Sequence, residues 1–256
     1  MNLDSLRTYG RLALRLAALI AVVGGVLVLG LLGWQWQATA PVERVAVTGA
    51  RHAPPDTLRR LARVDSGMVM STIDARLVRD RVTRHPWVKD VDVDKRRASR
   101  ILELAVTERT PAGLVVDASG RPAFYVDTEG YAMPLPDSTA YDVPLIRGLA
   151  ADYHPIQQVV PPALRTVLPV LQTADAASLV GSVTVRPDSS LYLTTTPVGA
   201  HGALPVRLGT GNVAQKLKRL QAFAQQVLAT QPEAAIAQID LRFDGQIITR
   251  EHPLDG

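Results

Sequence analysis

The chain has no cysteine, and this absence removes several kinds of site at once. Its 256 residues contain no disulfide, thiolate zinc site, iron–sulfur ligand or cysteine nucleophile. Aromatic residues are also few, at 5%, and the 18 glycines and 18 prolines follow no repeat period. Collagen-like and low-complexity classes are therefore excluded. The length is sufficient for one or two domains with packed cores.

The net positive charge of the chain comes from its first 110 residues. Residues 41–110 hold 15 basic and 10 acidic side chains, whereas residues 111–256 hold 10 basic and 13 acidic ones. A nucleic-acid interface concentrates Lys and Arg on one surface, often with interleaved aromatic residues. Here basic residues alternate with Asp, so the pattern predicts a solvated surface of mixed charge and no nucleic-acid partner.

The longest uncharged run of the sequence lies near its N-terminus. Residues 16–34 carry no charge, and as a helix they span about 28 Å, close to the hydrocarbon thickness of a bilayer. Arginines precede this run, so the positive-inside rule places residues 1–15 in the cytoplasm and the later residues outside. We predict an uncleaved transmembrane helix over residues 16–36, with Trp34 and Trp36 at the outer interface.

Two other interpretations of this run remain open. The first is a cleavable signal peptide, because Ala38-Thr39-Ala40 has the small-x-small form of a cleavage site. Against it, the apolar run exceeds the usual 7–15 residues and Pro41 would follow the cut. The second is a buried core helix, although such helices are rarely this long and free of charge. A dimerisation face at Gly24-Gly25 also stays open for this helix, although the run lacks the G-x-x-x-G spacing.

The next part of the chain predicts five elements in the order strand, helix, helix, strand, strand. Apolar and polar residues alternate as in strands over residues 42–47, 87–94 and 100–108. A Pro-Pro-Asp segment opens the first helix, and a Ser-Gly pair ends it. The second helix is predicted to be capped by Ser71 or Thr72. Its inward residues are Ile73, Leu77, Val78 and Val82.

Three motifs in these elements resemble the POTRA domain. The first strand ends in V-x-G at residues 47–49, a P-x-V-x-x-x-x-V pattern covers residues 86–93, and E-R-x-P closes the last strand at residues 108–111. One feature departs from the family pattern, since the hairpin between the last two strands lacks its usual proline. The resemblance implies a β-α-α-β-β POTRA domain over residues 41–110.

The remaining residues, 111–252, predict a mixed sheet with packed helices. Strands are predicted over residues 182–186, 191–196 and 204–208. An amphipathic helix over about residues 213–229 would cover one face of that sheet.

The end of the chain predicts a β-hairpin. Residues 237–243 alternate as a strand, Asp244-Gly245 favours a type I′ turn, and residues 246–251 complete the hairpin. A terminal strand in an open sheet is expected at an edge, with unpaired N–H and C=O groups along one side. Such an edge can accept a strand from another protein.

Two further motifs extend the resemblance to almost the whole chain. V-D-x-x-G at residues 126–130 and I-D-L-R at residues 239–242 are similar to those of the FtsQ/DivIB family of bitopic cell-division proteins. The resemblance implies an α+β protein with one N-terminal transmembrane helix, a POTRA domain, an FtsQ-type β domain at 111–252 and a tail at 253–256.

The resemblance also implies a function, partners and a location. The family acts as a non-enzymatic scaffold of the division complex at the septum of the inner membrane, with its C-terminal domains in the periplasm. Its last strand receives a strand from FtsB, which acts with FtsL, and the POTRA domain is a docking surface for other members of the complex. The residues implied for partner binding are Gln246, Ile247, Ile248, Thr249 and Arg250. From the residues alone, an edge strand protected by its charges is the alternative.

Two other functions are kept as alternatives. One is a different POTRA-bearing factor of envelope assembly or transport, which would add long alternating strands. The other is an anchored envelope enzyme, for which no catalytic constellation is evident in the sequence.

Other patterns that carry chemistry elsewhere are weak here, so no cofactor or metal is expected. Gly209–Ala214 has a G-x-G-x-x-A spacing, but it lies too late in the chain to open a dinucleotide-binding βαβ series. Asp90, Asp92 and Asp94 look like a calcium loop but lack its Gly and Glu. The basic segment Lys95–Arg97 with Arg100 predicts either a solvated hairpin tip or a contact with anionic lipid or a partner's acidic groups.

Overall fold

The computed structural model describes residues 3–38, 40–149, 152–173, 177–231 and 235–251, with side chains at 16–33 and from residue 40 onward within those ranges. The helices are α1 (Leu3–Ala38), α2 (Pro55–Ala62), α3 (Ala75–Val82), α4 (Pro162–Leu171) and α5 (Val213–Phe223), with a 3₁₀ turn at Met70–Thr72 and a π-helical turn at Ala224–Leu228. The strands are β1 (Arg44–Thr48), β2 (Val88–Arg96), β3 (Ile101–Glu108), β4 (Gly113–Val116), β5 (Pro122–Val126), β6 (Ala132–Met133), β7 (Leu145–Arg147), β8 (Val180–Val185), β9 (Leu191–Thr195), β10 (Pro205–Arg207), β11 (Ile236–Asp240) and β12 (Ile248–Glu251). The tail predicted at 253–256 lies outside the described residues.

Helix α1 contains the apolar run found in the sequence. Its segment Leu16–Gly33 has a mean hydropathy of 2.7, and none of that segment is buried. Among the described residues it is the helix that is long and apolar enough to cross a membrane. The side chains of Trp34 and Trp36, predicted at the membrane interface, lie outside the described side chains.

The chain divides into two compact units. The first comprises Met1–Ala50, Pro54–Val82 and Val91–Val106. The second comprises Arg51–Ala53, Thr83–Asp90 and Thr107–Gly256. The second unit therefore includes two short segments that precede its main part in the sequence.

The first unit contains a three-stranded sheet in the order β1-β3-β2. Strand β1 runs parallel to β3, with Arg44 opposite Ile101, and two helices separate β1 from the hairpin of β2 and β3. The predicted order of five elements is therefore confirmed. The apolar residues buried in this unit include Leu58, Ala62, Val78, Val82, Leu102, Leu104 and Val106.

Gly49 explains why the V-x-G motif ends in glycine. Its φ is +80°, in the left-handed region that favours glycine. A Cβ atom at this position would lie 2.2 Å from the carbonyl oxygen of Val106. Only glycine lets the end of β1 pass this close to the backbone of β3.

The start of α3 differs from the sequence prediction. The helix begins at Ala75, and Asp74 caps it by accepting the N–H of Arg76 at 2.9 Å. The predicted cap at Ser71 or Thr72 is wrong, because those residues form a 3₁₀ turn instead. Leu77, predicted to face inward, is 45% exposed.

The beginning of β1 also differs from its prediction. Val42 and Glu43 precede the strand rather than opening it. The N–H of Val42 donates to Met68 O at 2.8 Å, so the backbone there pairs with the loop before the 3₁₀ turn.

The second unit contains a nine-stranded mixed sheet in the order β12-β11-β10-β9-β8-β7-β4-β5-β6. Strands β4, β7 and β8 are mutually parallel neighbours, as are β10 and β11, and the other pairs are antiparallel. The three strands predicted between residues 182 and 208 are confirmed as β8, β9 and β10, each within two residues of its predicted ends.

One face of this sheet carries the core of the second unit. Alternate residues of β8 and β9, such as Val183 and Leu193, share one hydrophobic cluster with residues of α4 and α5, such as Leu168 and Leu220. Between them, residues such as Tyr192 are only partly buried. The two helices therefore cover the apolar face of the sheet, as the alternation of the strands requires.

The last turn of the chain differs from the predicted type I′ hairpin. Strand β11 ends at Asp240 and β12 begins at Ile248, so seven residues connect them. A type I′ turn needs positive φ at both central residues, but at this turn only Gly245 has a positive φ, +77°. Leu241 still donates its N–H to Arg207 on β10 at 2.8 Å, so the chain stays bonded to β10 after its pairing with β12 has ended.

Candidate partner-binding edge

Strand β12 forms one edge of the nine-stranded sheet. In the part of the chain that the structure describes, it pairs with β11 on one side and with no strand on the other. All four of its residues are exposed. A strand in this position presents unpaired backbone groups to solvent.

The pairing of β11 shows which of its backbone groups meet β12. Because Leu241 donates its N–H to Arg207 on β10, the odd-numbered residues of β11 direct their backbone groups toward β10. Backbone direction alternates along a strand, so Gln238 and Asp240 direct theirs toward β12.

The same alternation identifies the free groups of β12. Ile248 lies opposite Asp240, and Arg250 lies opposite Gln238. The backbone of Ile248 and Arg250 therefore bonds to β11. The N–H and C=O of Thr249, which lies between them, point away from the sheet toward the free edge.

The side chains of β12 are divided between the two faces of the sheet. Thr249 lies opposite Ile239, which is fully buried on the helix-covered face. Ile248 and Arg250 therefore share the opposite face, where Ile248 is 40% exposed. An added strand would meet an apolar and a cationic side chain on that face.

Two of the five residues predicted for this site lie outside the strand. Gln246 and Ile247 belong to the connecting loop, whereas Ile248, Thr249 and Arg250 lie on β12. Ile247 is partly buried against the core cluster, so its side chain anchors the loop. The prediction that the strand begins at Gln246 is therefore wrong, because the seven-residue connection occupies those positions.

The loop before β12 is held by Arg219 of α5. The Nη1 of Arg219 donates to the carbonyl oxygens of Phe243 and Gln246, at 3.3 and 3.4 Å. Arg219 was not predicted from the sequence, since nothing in the helix pattern distinguishes it from its neighbours.

Asp240 and Arg242 form an ion pair at the end of β11. The guanidinium of Arg242 donates to both carboxylate oxygens of Asp240, at 3.0 and 2.7 Å. These hydrogen bonds hold the pKa of Asp240 below its ordinary value, although burial opposes them. This contact gives the I-D-L-R motif a structural role in ending the strand.

The glycine loop before α5 is filled by a side chain of the protein. Lys216 is buried, and its ammonium donates to the carbonyl oxygens of Leu208 and Thr210, at 3.0 and 2.7 Å. The positive φ values of Gly209 and Gly211 serve this tight turn. Among the described residues, no group of three or more His, Asp or Glu side chains could hold a metal ion.

Within the second unit, Glu108 organises a hydrogen-bonded cluster. Its Oε1 accepts the N–H groups of Arg51, His52 and Ala53 at 2.8, 2.8 and 2.9 Å. Its Oε2 lies 2.9 Å from Nδ1 of His52, and Nε2 of His52 lies 2.8 Å from the hydroxyl of Tyr141.

The ionisation of this cluster follows from its burial and its hydrogen bonds. Burial raises the pKa of Glu108, but the backbone and His52 hydrogen bonds outweigh it and leave the pKa below its ordinary value. Burial and the charge of Glu108 raise the pKa of Tyr141. The hydroxyl therefore keeps its proton, and the cluster positions the chain segments that it joins.

A second polar contact joins two of the motifs. Arg109 of E-R-x-P donates to Asp127 of V-D-x-x-G at 2.5 Å, and its guanidinium lies 4.0 Å from the ring centroid of Tyr131. Oδ1 of Asp127 accepts the N–H groups of Glu129 and Tyr131, each at 2.9 Å, which closes the turn.

An N-terminal helix long and apolar enough to cross a membrane, a POTRA fold and an open-edged mixed sheet together define a POTRA-containing protein with a candidate membrane span. A family model described as "POTRA domain, FtsQ-type" matches residues 40–109, and one described as "FtsQ/DivIB, C-terminal related" matches residues 110–250. The chain is 56% identical over 259 residues to the cell division protein FtsQ of Salinibacter ruber, covering all of both chains. It is 42% identical to that of Rhodothermus marinus, over 91% of this chain and 87% of that one.

The chain therefore belongs to the FtsQ/DivIB family of cell division proteins. A more distant relative, the cell division protein FtsQ of Myxococcus fulvus, is 29% identical over 87% of this chain. The similarity extends through the N-terminal helix, since the Salinibacter ruber relative covers the full length. Together with α1, this membership is consistent with a single-pass membrane protein.

Proposed function

We propose that this protein is a non-enzymatic scaffold of the division complex, which binds FtsB together with FtsL by strand addition to β12. The observation that carries the proposal is the free edge of β12, where the N–H and C=O of Thr249 have no partner strand among the described residues. Backbone hydrogen bonds would supply affinity there, and the alternating side chains would supply specificity. Family membership supports the choice of partners.

The proposed location follows from the N-terminal charge pattern. Residues 1–15 would lie in the cytoplasm, residues 16–36 would form the uncleaved span, and both extracytoplasmic domains, 41–110 and 111–252, would lie in the periplasm at the septum. The POTRA domain would give further members of the division complex a surface near the membrane. Fluorescence imaging of a tagged chain tests the location: signal at midcell supports it, and signal uniformly around the cell contradicts it.

The absence of enzymatic activity is proposed from the chemistry of the described polar clusters. The acid, imidazole and hydroxyl of Glu108, His52 and Tyr141 are in contact, but Glu108 also accepts three backbone N–H groups and the ring of His52 stacks on Trp87, with 4.3 Å between the centroids. We therefore assign this set a role in holding chain segments together. A hydrolase screen of the purified full-length chain tests this proposal, and any activity abolished by Tyr141→Phe would contradict it.

The backbone polarity of β12 allows a direct test of strand addition. Thr249→Pro removes an N–H that points to the free edge, whereas Thr249→Ala removes only the side chain. We expect Thr249→Pro to weaken binding of the FtsB–FtsL complex about three- to tenfold or more, the value of one lost hydrogen bond with added strand distortion. Thr249→Ala should bind nearly as the unchanged protein does.

A second proline variant separates loss of the partner from loss of the strand. Ile248→Pro removes the N–H that bonds to Asp240 within the sheet, so it should loosen β12 itself. Binding is measured by biolayer interferometry with detergent-solubilised full-length chain, and folding by thermal denaturation. Unchanged FtsB–FtsL binding by a folded Thr249→Pro protein would rule out strand addition at β12.

A further inference from the structure

A single residue of the sequence separates the end of the N-terminal helix from the first buried residue of the remaining first unit. Helix α1 ends at Ala38, and Ala40 is already buried, with its carbonyl oxygen accepting the N–H of Met70 at 2.9 Å. Val42 continues this pairing by donating to Met68 at 2.8 Å. Because a residue extends the chain by at most about 3.6 Å, this end of the first unit is held close to the end of α1.

The hairpin between β2 and β3 lies at the same end of the unit. Glu43 donates its N–H to Arg100 O at 2.8 Å, and Arg44 opens β1 opposite Ile101 of β3. Since β1 and β3 are parallel, the start of β3 lies where the chain arrives from α1. Residues 95–100, which we name the basic hairpin, therefore lie at the end of the sheet nearest to the membrane helix.

Acidic side chains neutralise only part of the basic hairpin. Arg96 pairs with Asp94 at 3.3 Å and also with Glu103, and Arg100 pairs with Glu43 at 2.8 Å. These contacts occupy two of its four basic side chains.

The other two basic side chains of the hairpin have no acidic partner among the described side chains. Lys95 donates a hydrogen bond to the carbonyl oxygen of Ile73, which carries no negative charge. Arg97 is exposed and makes no ion pair within the described side chains. Arg76, also exposed, follows Ile73 by one turn at the start of α3 and adds a third such cation.

We propose that the basic hairpin binds the phosphates of anionic phospholipid headgroups at the membrane surface from which α1 emerges. This inference rests on the proposed membrane span of α1 and goes beyond the partner-binding function. A guanidinium such as that of Arg97 matches a phosphate with two parallel hydrogen bonds. Basic residues beside a span are attracted to anionic headgroups within about one Debye length, roughly 8 Å.

The position of the hairpin favours lipid over an acidic protein partner. A protein partner can approach any face of the first unit, whereas headgroups are present only at the end that α1 attaches to the bilayer. Contact there would fix the tilt of the first unit on the membrane, because α1 and the hairpin would act as two points of attachment.

Because the protein has no cysteine, a single introduced cysteine can be labelled with a dye at a chosen position. Ala98→Cys places one environment-sensitive dye at the exposed tip of the basic hairpin, and Thr48→Cys places it at the opposite end of β1. The full-length chain is inserted into nanodiscs of phosphatidylcholine, alone or mixed with phosphatidylglycerol, that carry a headgroup-linked quencher. We expect phosphatidylglycerol to raise quenching at position 98 about twofold or more and to leave position 48 unchanged.

Charge reversal identifies the residue that makes the contact. In the Ala98→Cys protein, Arg97→Glu should return quenching to the level seen in phosphatidylcholine alone. Lys218→Glu, an exposed site on α5 with the same change in net charge, should have no effect. A thermal melt checks folding, and Arg97→Gln replaces Arg97→Glu if the reversed charge unfolds the protein.

Several results would overturn the inference. One is equal quenching at position 98 in both lipid mixtures, and another is quenching that Arg97→Glu leaves unchanged. A third is that Lys218→Glu lowers the quenching as much as Arg97→Glu does, because the effect would then depend only on the net charge of the protein. Release of the chain from membranes by alkaline extraction would instead refute the membrane span. Loss of FtsB–FtsL binding bears on β12 alone, so the two proposals fail separately.

Discussion

Arg109 and Asp127 form a buried ion pair, with Nη1 of the arginine 2.5 Å from Oδ2 of the carboxylate. Their side chains are only 11% and 5% exposed. One belongs to E-R-x-P and the other to V-D-x-x-G, so two motifs that are separate in the sequence meet in the second unit.

Removing one partner of this pair should be costly. Arg109→Met leaves the buried carboxylate of Asp127 uncompensated, and we expect a loss of about 3–5 kcal/mol in the free energy of unfolding. Lys89→Met is the matched control, because Lys89 and Glu129 pair at 2.8 Å with roughly half of each side chain exposed. That control should lose at most about 1 kcal/mol. Urea denaturation measures both, and equal losses would contradict the assigned burial.

The clash at Gly49 predicts a second difference between matched variants. Gly49→Ala adds a methyl group 2.2 Å from Val106 O at a φ of +80°, so we expect a loss of about 2 kcal/mol or more. Gly67→Ala meets a similar φ, +92°, with nothing within 4 Å, so it should lose only about 1–2 kcal/mol from the backbone. Thermal denaturation that ranks Gly67→Ala as the more destabilising would exclude the close approach at Gly49.

Glu108 predicts a dependence of stability on pH. Its pKa in the folded protein is below the ordinary 4.5, so its contribution is present above that value and is lost as the pH falls through the folded pKa. Glu108→Gln should therefore lose about 1.5–3 kcal/mol at neutral pH. The difference between the two proteins should shrink in acid. Denaturation at a series of pH values measures this, and a constant difference would show that the carboxylate charge is not involved.

Arg219 predicts a change in dynamics and binding at β12. Arg219→Ala removes the donor that holds the carbonyl oxygens of Phe243 and Gln246, so residues 246–251 should exchange backbone hydrogen faster. Binding would then have to order these residues, and this added entropic cost should weaken the affinity for FtsB–FtsL about threefold or more. Lys218→Ala, at the exposed neighbouring position, is the control. Hydrogen exchange and affinity that are equal in both variants would show that Arg219 does not support the edge.

Local patterns were sufficient for the elements of the first unit. The apolar alternation of β3 predicted its buried residues Leu102, Leu104 and Val106, because a strand against a core needs a period of two. The cap of α3 was missed, because Ser, Thr and Asp are all good caps and three of them precede the helix within four positions. Asp74 is the cap because Ser71 and Thr72 belong to a 3₁₀ turn, and the spacing of apolar residues does not predict that turn.

The last hairpin shows the limit of local turn chemistry. Asp-Gly favours a two-residue turn, but the structure has a seven-residue loop. Side-chain contacts outside the turn hold that loop, namely those of Arg219 and of the Asp240–Arg242 pair. Two of the five predicted site residues moved into that loop for this reason. The three that remain, Ile248, Thr249 and Arg250, lie on the edge strand.

The sequence by itself determined the apolar run of α1, the order of elements in the first unit and the family motifs, because these depend on residue type and spacing along the chain. Tertiary structure alone decided the register of β12 against β11 and their seven-residue connection, the outward direction of the Thr249 backbone, and the position of the basic hairpin at the end of the sheet where the chain arrives from α1. These features depend on strand order and register, which are set by contacts between residues far apart in the sequence.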